Sequence, residues 1–386
     1  MTLATSNNQQ NETQTAQIQI RPAMAGYIDA LRAAVAGNVI TPEADSYAET
    51  RKLHDLGYNR RPMAIVQAAN ALDVATAVRF ARAHEYALAV RSGGHSIAGH
   101  SMVDGAVVID LSGLRRVSVD AATGIARVQP GTTSGDLAGP AHAYGFALST
   151  GDVSTVGIGG LTTGGGIGFM VRRFGLAIDN LISAEVVTAN GDIVTASADE
   201  NPDLFWAIRG GGGNFGIITE FTFQLARVGS VLGGALVLPA TPDVLRGYLE
   251  YARQAPDDLT TITNFMHAPP APFIPENRIG EPVLMILTVW TGDEDDGQRV
   301  LAPLRALAEP VADTIAMMPY PAIYEYTAAA AEPHVAAVRA MYTDGFSDDS
   351  IDAVFEATDV VLQARGSNLA AAHLRFVFGL QTLPDQ

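Results

Sequence analysis

A chain of 386 residues with 48% hydrophobic and 17% charged positions has the composition of an ordinary globular protein and the length to bury more than one core. With 24 Lys and Arg against 41 Asp and Glu, its net charge of −17 argues against a nucleic-acid partner, because neutralising phosphates takes clustered cations. The lack of cysteine removes disulfides and thiolate metal sites together, and no apolar run reaches the roughly 18 residues expected of a membrane span.

Residues 1–20 open with an Asn-, Gln- and Thr-rich stretch that has neither a basic start nor an apolar core. They read as a disordered tail rather than a signal peptide, which makes cytoplasmic residence the expectation. A helix over Ala23–Ala36 is expected to end at Gly37. Met63–Ala68 reads as a strand, Asp73–Glu85 as a helix starting at an Asp cap, and Leu88–Arg91 as a second strand, giving a β-α-β unit. Strands at Val107–Leu111 and Ile125–Gln129 follow, then a helix over Thr133–Tyr144. Asn190-Gly191 is expected to join Ala184–Thr188 to Asp192–Ala196 through a type I′ turn. Asn201-Pro202 opens a helix, and Ile217–Leu225 is a strand. Near Val228–Gly234 the glycine loops give way to longer elements: helices from Thr241 to Gln254, Asp295 to Ala308 and Ser350 to Ala364, and strands at Val283–Thr291 and His373–Phe378. The fold class read from this order is α+β, with one domain over 21–227 and a second, over 228–386, built as an antiparallel sheet with helices on one face.

Two glycine clusters carry the chemistry. Arg91-Ser92-Gly93-Gly94-His95-Ser96 follows a strand, so adjacent glycines can bring backbone amides close to an anion while Arg91 offers a fork of donors. Residues 151–168 hold eight glycines in eighteen positions, spaced by Val, Ile, Leu and Thr instead of the Ser or Pro of a linker. Such spacers suit a packed backbone lying against a flat, partly apolar ligand. Gly211-Gly212-Gly213-Asn214-Phe215-Gly216 satisfies the dinucleotide pattern G-x-G-x-x-G, but a helix precedes it and a strand follows. That is the reverse of the strand-then-helix order the fingerprint needs.

In order and spacing these motifs resemble the flavin oxidoreductases of the vanillyl-alcohol-oxidase type, with a PCMH-type FAD-binding domain, and within them the berberine-bridge-enzyme-like and 6-hydroxynicotine-oxidase-like branch. The resemblance runs from about Ala48 to Leu225 and more weakly to Phe378. It implies an FAD whose pyrophosphate is wrapped by Arg91, Ser92, Gly93, Gly94 and Ser96, with Ser101 close by. His95 matches the position bonded to the flavin 8α-methyl carbon. Gly151, Asp152, Val156, Gly159, Gly160, Gly164 and Gly165 would line the other side of the cofactor, and Gly216 and Ile218 would reach its adenine or ribose end. Close relatives carry a second link through cysteine where Val153 stands here, so attachment would be single, through His95. A histidine common at the Leu161 position is also missing, leaving backbone amides to stabilise charge on the reduced ring.

The implied activity is hydride removal from a C–H next to oxygen or nitrogen in a sugar, alkaloid-like or secondary-metabolite substrate. Dioxygen is the favoured acceptor, because relatives with a small residue at the Val156 position admit it to the ring. A flavin dehydrogenase and a flavin-binding protein without turnover are the alternatives. The latter arises because the chain ends at Gln386, before a tyrosine-containing segment of such relatives, so the second domain is expected to be C-terminally short. No catalytic base is assigned; Tyr320, Tyr324, Tyr326 and Tyr342 are candidates, but packing or a surface position is the commoner explanation of each. His54, His84, His142, His267, His334 and His373 show no metal-ligand spacing and read as surface or core residues, so no metal is expected. His100 lies in the flavin loop, where a polar contact to the cofactor is one reading.

Overall fold

The computed structural model describes residues 22–336, 338, 345–363 and 372–375. The expected tail, Tyr342 and the second half of the expected final strand lie outside them. A first sheet orders Asn38–Ile40, Ala64–Gln67, Val107–Asp110 and Leu88–Arg91; its first pair is antiparallel and the others are parallel. Val107–Asp110 is buried along its whole length, as a central parallel strand covered on both faces must be. The helix Ala71–Ala83 makes the crossover and packs Val74, Ala75 and Val78 against that sheet.

This helix starts earlier than expected. Asn70 is the cap: its side chain accepts the Asp73 amide at 3.0 Å. Asp73 instead sits inside the first turn, 3% exposed, and its carboxylate accepts the amides of Ala36 at 2.8 Å, Gly37 at 2.9 Å and Ala69 at 2.8 Å. One carboxylate therefore ties the exit of the Pro22–Ala34 helix to the crossover helix. Gly37 has a different role from the helix stop expected of it. A Cβ there would lie 1.9 Å from the Gln67 carbonyl oxygen, so glycine lets the chain pass against the neighbouring strand.

A second, five-stranded antiparallel sheet orders Val117–Val119, Ile125–Val128, Ile217–Gln224, Leu181–Val187 and Ile193–Ser197. The hairpin at its edge pairs Val187 with Ile193, but its turn is not the type I′ expected. The Gly191 amide bonds the Thr188 carbonyl at 2.8 Å, and Gly191 has φ +81°, whereas Asn190 has no positive φ. Glycine alone supplies the left-handed residue, after an ordinary turn centred on Ala189 and Asn190.

The rest of the chain builds an antiparallel sheet ordered Ala312–Asp313, Ser230–Pro239, Pro282–Trp290, Leu259–His267 and Ala372–Arg375, with Ala316–Pro319 also on Ser230–Pro239. Alternation along Ser230–Pro239 serves two cores at once. Leu232, Leu236 and Leu238 face the helices Pro242–Gln254 and Glu294–Arg305 through Leu245, Tyr248 and Leu301. Val231, Ala235 and Val237 face the other way, onto Phe169, Met170, Tyr320 and Tyr324. The α+β class and the one-sided helical cover agree with the sequence reading. Among the described residues no helix is long and apolar enough to cross a membrane.

Replacing Asp73 by Ala leaves three amides without their acceptor. The expected loss of unfolding free energy is about 2–4 kcal/mol, read from urea denaturation at unchanged slope. A loss below about 0.5 kcal/mol would mean the carboxylate is not the tie described.

Candidate functional site

The Leu88–Arg91 strand delivers the first glycine loop, and its last side chain turns inward. Arg91 Nε donates to Asp110 Oδ1 at 3.1 Å, Nη2 pairs with Oδ2 of the same buried carboxylate, and Nη1 reaches the Thr50 carbonyl and, at 3.4 Å, the Lys52 carbonyl. The fork expected to meet phosphate oxygens is thus engaged inside the protein. It anchors the root of the loop, which leaves anion contact to the backbone beyond it. Among the described residues the amides of Gly93, Gly94, His95 and Ser96 donate to no protein group.

Three segments converge here. Ser92 Oγ donates to the Pro130 carbonyl at 2.5 Å. The Ile158 and Gly159 amides bond the Thr132 and Pro130 carbonyls at 2.8 and 3.1 Å, and the Ser134 amide bonds the Val156 carbonyl at 3.0 Å. The two glycine loops then meet backbone to backbone. A Cβ on Gly93 would lie 2.4 Å from the Gly157 nitrogen, and one on Gly157 would lie 2.3 Å from both the Gly93 nitrogen and Ser92 Oγ. Gly159 is nearly as confined, 3.0 Å from Pro130 and 3.1 Å from Ser92.

Beside this seam lies a cleft of about 220 Å³ lined by Lys52, Arg91, Ser92, Gly93, Gly94, Ser112, Arg115, Gly131, Thr133 and Thr155. Its volume is below the several hundred Å³ of a whole-ligand pocket and suits one polar portion of a larger molecule. Unbonded amides make it a fit for the phosphate portion of a dinucleotide, beside Lys52 and Arg115, which pair with Glu49 and Asp136. Lys52, Ser112, Arg115, Gly131 and Thr133 were not found by sequence reasoning, because they come from separate turns with no motif of their own. Gly157 was legible in the second glycine run, and only the seam shows why it must be glycine.

The other expected residues divide. The Gly151 and Asp152 carbonyls accept from Tyr324 at 3.3 Å and Thr327 at 2.6 Å, so the start of the second loop hangs on the Tyr320–Ala331 segment. Tyr324 also bonds Thr150 Oγ1 at 3.1 Å. Gly160 has open space where a Cβ would stand, and Gly164 and Gly165 end the short Ile158–Thr163 helix, Gly165 with φ +118°. Gly216 has φ +150° and lies against Val186, while the Ile218 side chain is buried in the five-stranded sheet's core and offers a ligand only its backbone. Ser96 closes a turn by accepting the His100 amide at 3.2 Å, His100 is exposed, and Ser101 is half-buried just after that turn.

His95 stands where the loops join, and it is not alone. Its ring stacks on His54 with centroids 3.8 Å apart and planes 21° apart, and His334 meets His54 edge-on at 5.2 Å. Burial first, then the two neighbouring imidazoles, push His95 down to about 4. His54 is lowered for the same reasons. His95 is therefore a neutral base at physiological pH. Among the described residues no group of three or more His, Cys, Asp or Glu is arranged to hold a metal. Burial raises the Tyr320 and Tyr324 phenols above their ordinary range, and Tyr326 donates to Thr314 Oγ1 at 2.8 Å.

Residues 62–197 match the FAD binding domain family. The (R)-6-hydroxynicotine oxidase of Paenarthrobacter nicotinovorans is 35% identical over 74% of this chain and 62% of its own length. The crystal structure of 6-hydroxy-D-nicotine oxidase from Arthrobacter nicotinovorans superposes with a TM-score of 0.71 at 33% identity, covering 76% of this chain and 64% of that one. A chitooligosaccharide oxidase gives 0.68 at 27% identity, covering 78% and 63%. The chain thus spans under two thirds of the length of these relatives. Residues 62–197 thus match an FAD binding domain, and through it and the sheet that follows the chain is similar to FAD-linked oxidoreductases.

Proposed function

We propose that this protein is an FAD-dependent oxidase, with residues 21–227 holding the cofactor through a single bond to His95 and residues 228–386 shaping the substrate pocket. The observation that carries the reading is the seam itself. Two glycine loops touch at Gly93 and Gly157 next to unbonded amides, with a neutral imidazole at the junction. FAD supplies hydride acceptance and electron delivery to dioxygen when bound.

The chain's own residues bind and orient. The Gly93–Ser96 amides, with Lys52 and Arg115 at the cleft, would hold the pyrophosphate, and the Gly151–Gly165 run would line the ring's other side, with Val156 admitting dioxygen. Ser101, Gly216 and Ile218 complete the binding set. Tyr324 and Thr327 fix the Gly151–Asp152 carbonyls from the side of the large C-terminal sheet, so the two parts of the chain meet at the cofactor loop. The substrate is a small molecule bearing a C–H next to oxygen or nitrogen. Relatives named for a hydroxynicotine and for a chitooligosaccharide support that class and its breadth. The protein is proposed to reside in the cytoplasm.

Three measurements test this. Acid precipitation should leave yellow flavin in the parent pellet and none in that of His95→Ala; flavin washing out of both would end the bonded reading. Gly157→Val, confirmed folded by circular dichroism, should retain FAD at least about tenfold more weakly, because its side chain has no room at the seam; equal retention would place the cofactor elsewhere. Flavin reduced by light should reoxidise in air-saturated buffer within seconds. Persistence for minutes alongside rapid reoxidation by a dye would make the protein a dehydrogenase.

A further inference from the structure

The histidine pair beside His95 has no part in the reading above, and its geometry is specific. His54 leaves the turn that follows the Tyr47–Thr50 helix, and its amide donates to the Gly94 carbonyl at 3.2 Å, so it is tied to the cofactor loop through its backbone as well as its ring. His334 is tied to the same turn: its amide bonds the His54 carbonyl at 3.1 Å, and its carbonyl accepts the Leu56 amide at 2.9 Å. Each ring is also held by a backbone group. Thr155 bonds His95, Ala330 bonds His54, and the Glu332 carbonyl lies 2.8 Å from His334 Nδ1. Three segments distant in sequence thus fix three imidazoles in one stack.

We infer that His54, braced by His334, is the positioning residue for attachment of the flavin to His95: it fixes the plane of the His95 ring. The inference rests on the bonded reading of the preceding section. An imidazole whose one nitrogen is bonded to the Thr155 carbonyl presents its other nitrogen as a free lone pair, the nucleophile the bond requires. Bond formation joins that nitrogen to the 8α-methyl carbon. The methyl group and the imidazole each give up one proton, and the two electrons left on the ring pass to dioxygen, which leaves as hydrogen peroxide.

The electrostatics run in the required direction. A positive charge on His95 would face His54 and His334, while the acids in the cluster, Asp55 and Glu332, act on His54. Lowering the His95 pKa to about 4 keeps the lone pair available throughout the neutral range and loses it only on acidification below that value.

Two readouts test the role, the first without flavin. In the FAD-free protein, NMR titration should place the His95 pKa about one unit higher in both His54→Ala and His54→Phe than in the parent, because each removes the neighbouring imidazole. On adding FAD at pH 7.5, His54→Ala should form acid-stable flavin about tenfold more slowly, whereas His54→Phe, which keeps a stacked ring, should recover most of the parent rate. Non-covalent FAD retention should be alike in all three. An unchanged His95 pKa, or attachment by His54→Ala at the parent rate, overturns the inference. A His95 pKa that responds to His54 in a parent whose flavin washes out in acid would instead overturn the bonded reading, and the role in attachment with it.

Discussion

The contact between Gly93 and Gly157 is the constraint on which the site depends. Two loops whose backbones lie against each other leave no volume for any side chain at either position, and their neighbours are fixed in turn. Ser92 must bond the Pro130 carbonyl, Gly159 must slip past Pro130, and the Thr132–Ser134 turn must bond Val156 and Ile158. The result is a junction of main chain in which amides, not side chains, face the space beside it. Polar backbone left unbonded this way is costly unless a ligand or solvent meets it, which is the physical sense of calling it a binding seam.

Cations at the seam's framework and at its cleft are alike paired with carboxylates. Arg91 and Asp110 cancel at the root of the first loop, where Asp110 is wholly buried, and carbonyls from the preceding turn take the remaining guanidinium donors. A buried pair satisfied this fully orients a loop more than it stabilises a fold. Lys52 and Arg115 line the cleft, paired with Glu49 and Asp136. His95, crowded by burial and by two other imidazoles, remains uncharged beside them. Anion attraction and nucleophilic capacity are thereby kept on separate groups.

The large antiparallel sheet contributes more than a lid. Its inner face packs on Phe169 and Met170, next to the second glycine run, and the Tyr320–Ala331 segment hands down the hydroxyls of Tyr324 and Thr327. Tyr324 is a buried phenol whose oxygen has Thr150 and the Gly151 carbonyl within bonding range. A shift of the sheet would therefore be felt at the cofactor loop.

The sequence by itself determined the β-α-β entry to the first loop, the two glycine runs, the α+β class and the helices over the large C-terminal sheet, because periodicity and glycine spacing are local signals. It also exposed the dinucleotide-like run at Gly211–Gly216 as misplaced in element order. It misjudged Asp73, Gly37 and the Asn190-Gly191 turn. In the first two, a residue suited to a local cap is engaged by a partner more than thirty positions away; in the third, one left-handed residue sufficed where two were expected. Only the tertiary structure decided that Arg91 points inward, that Gly157 closes the seam and that His54 and His334 gather at His95. Each depends on segments brought together through the packing of separate turns, and spacing along the chain carries no record of such meetings.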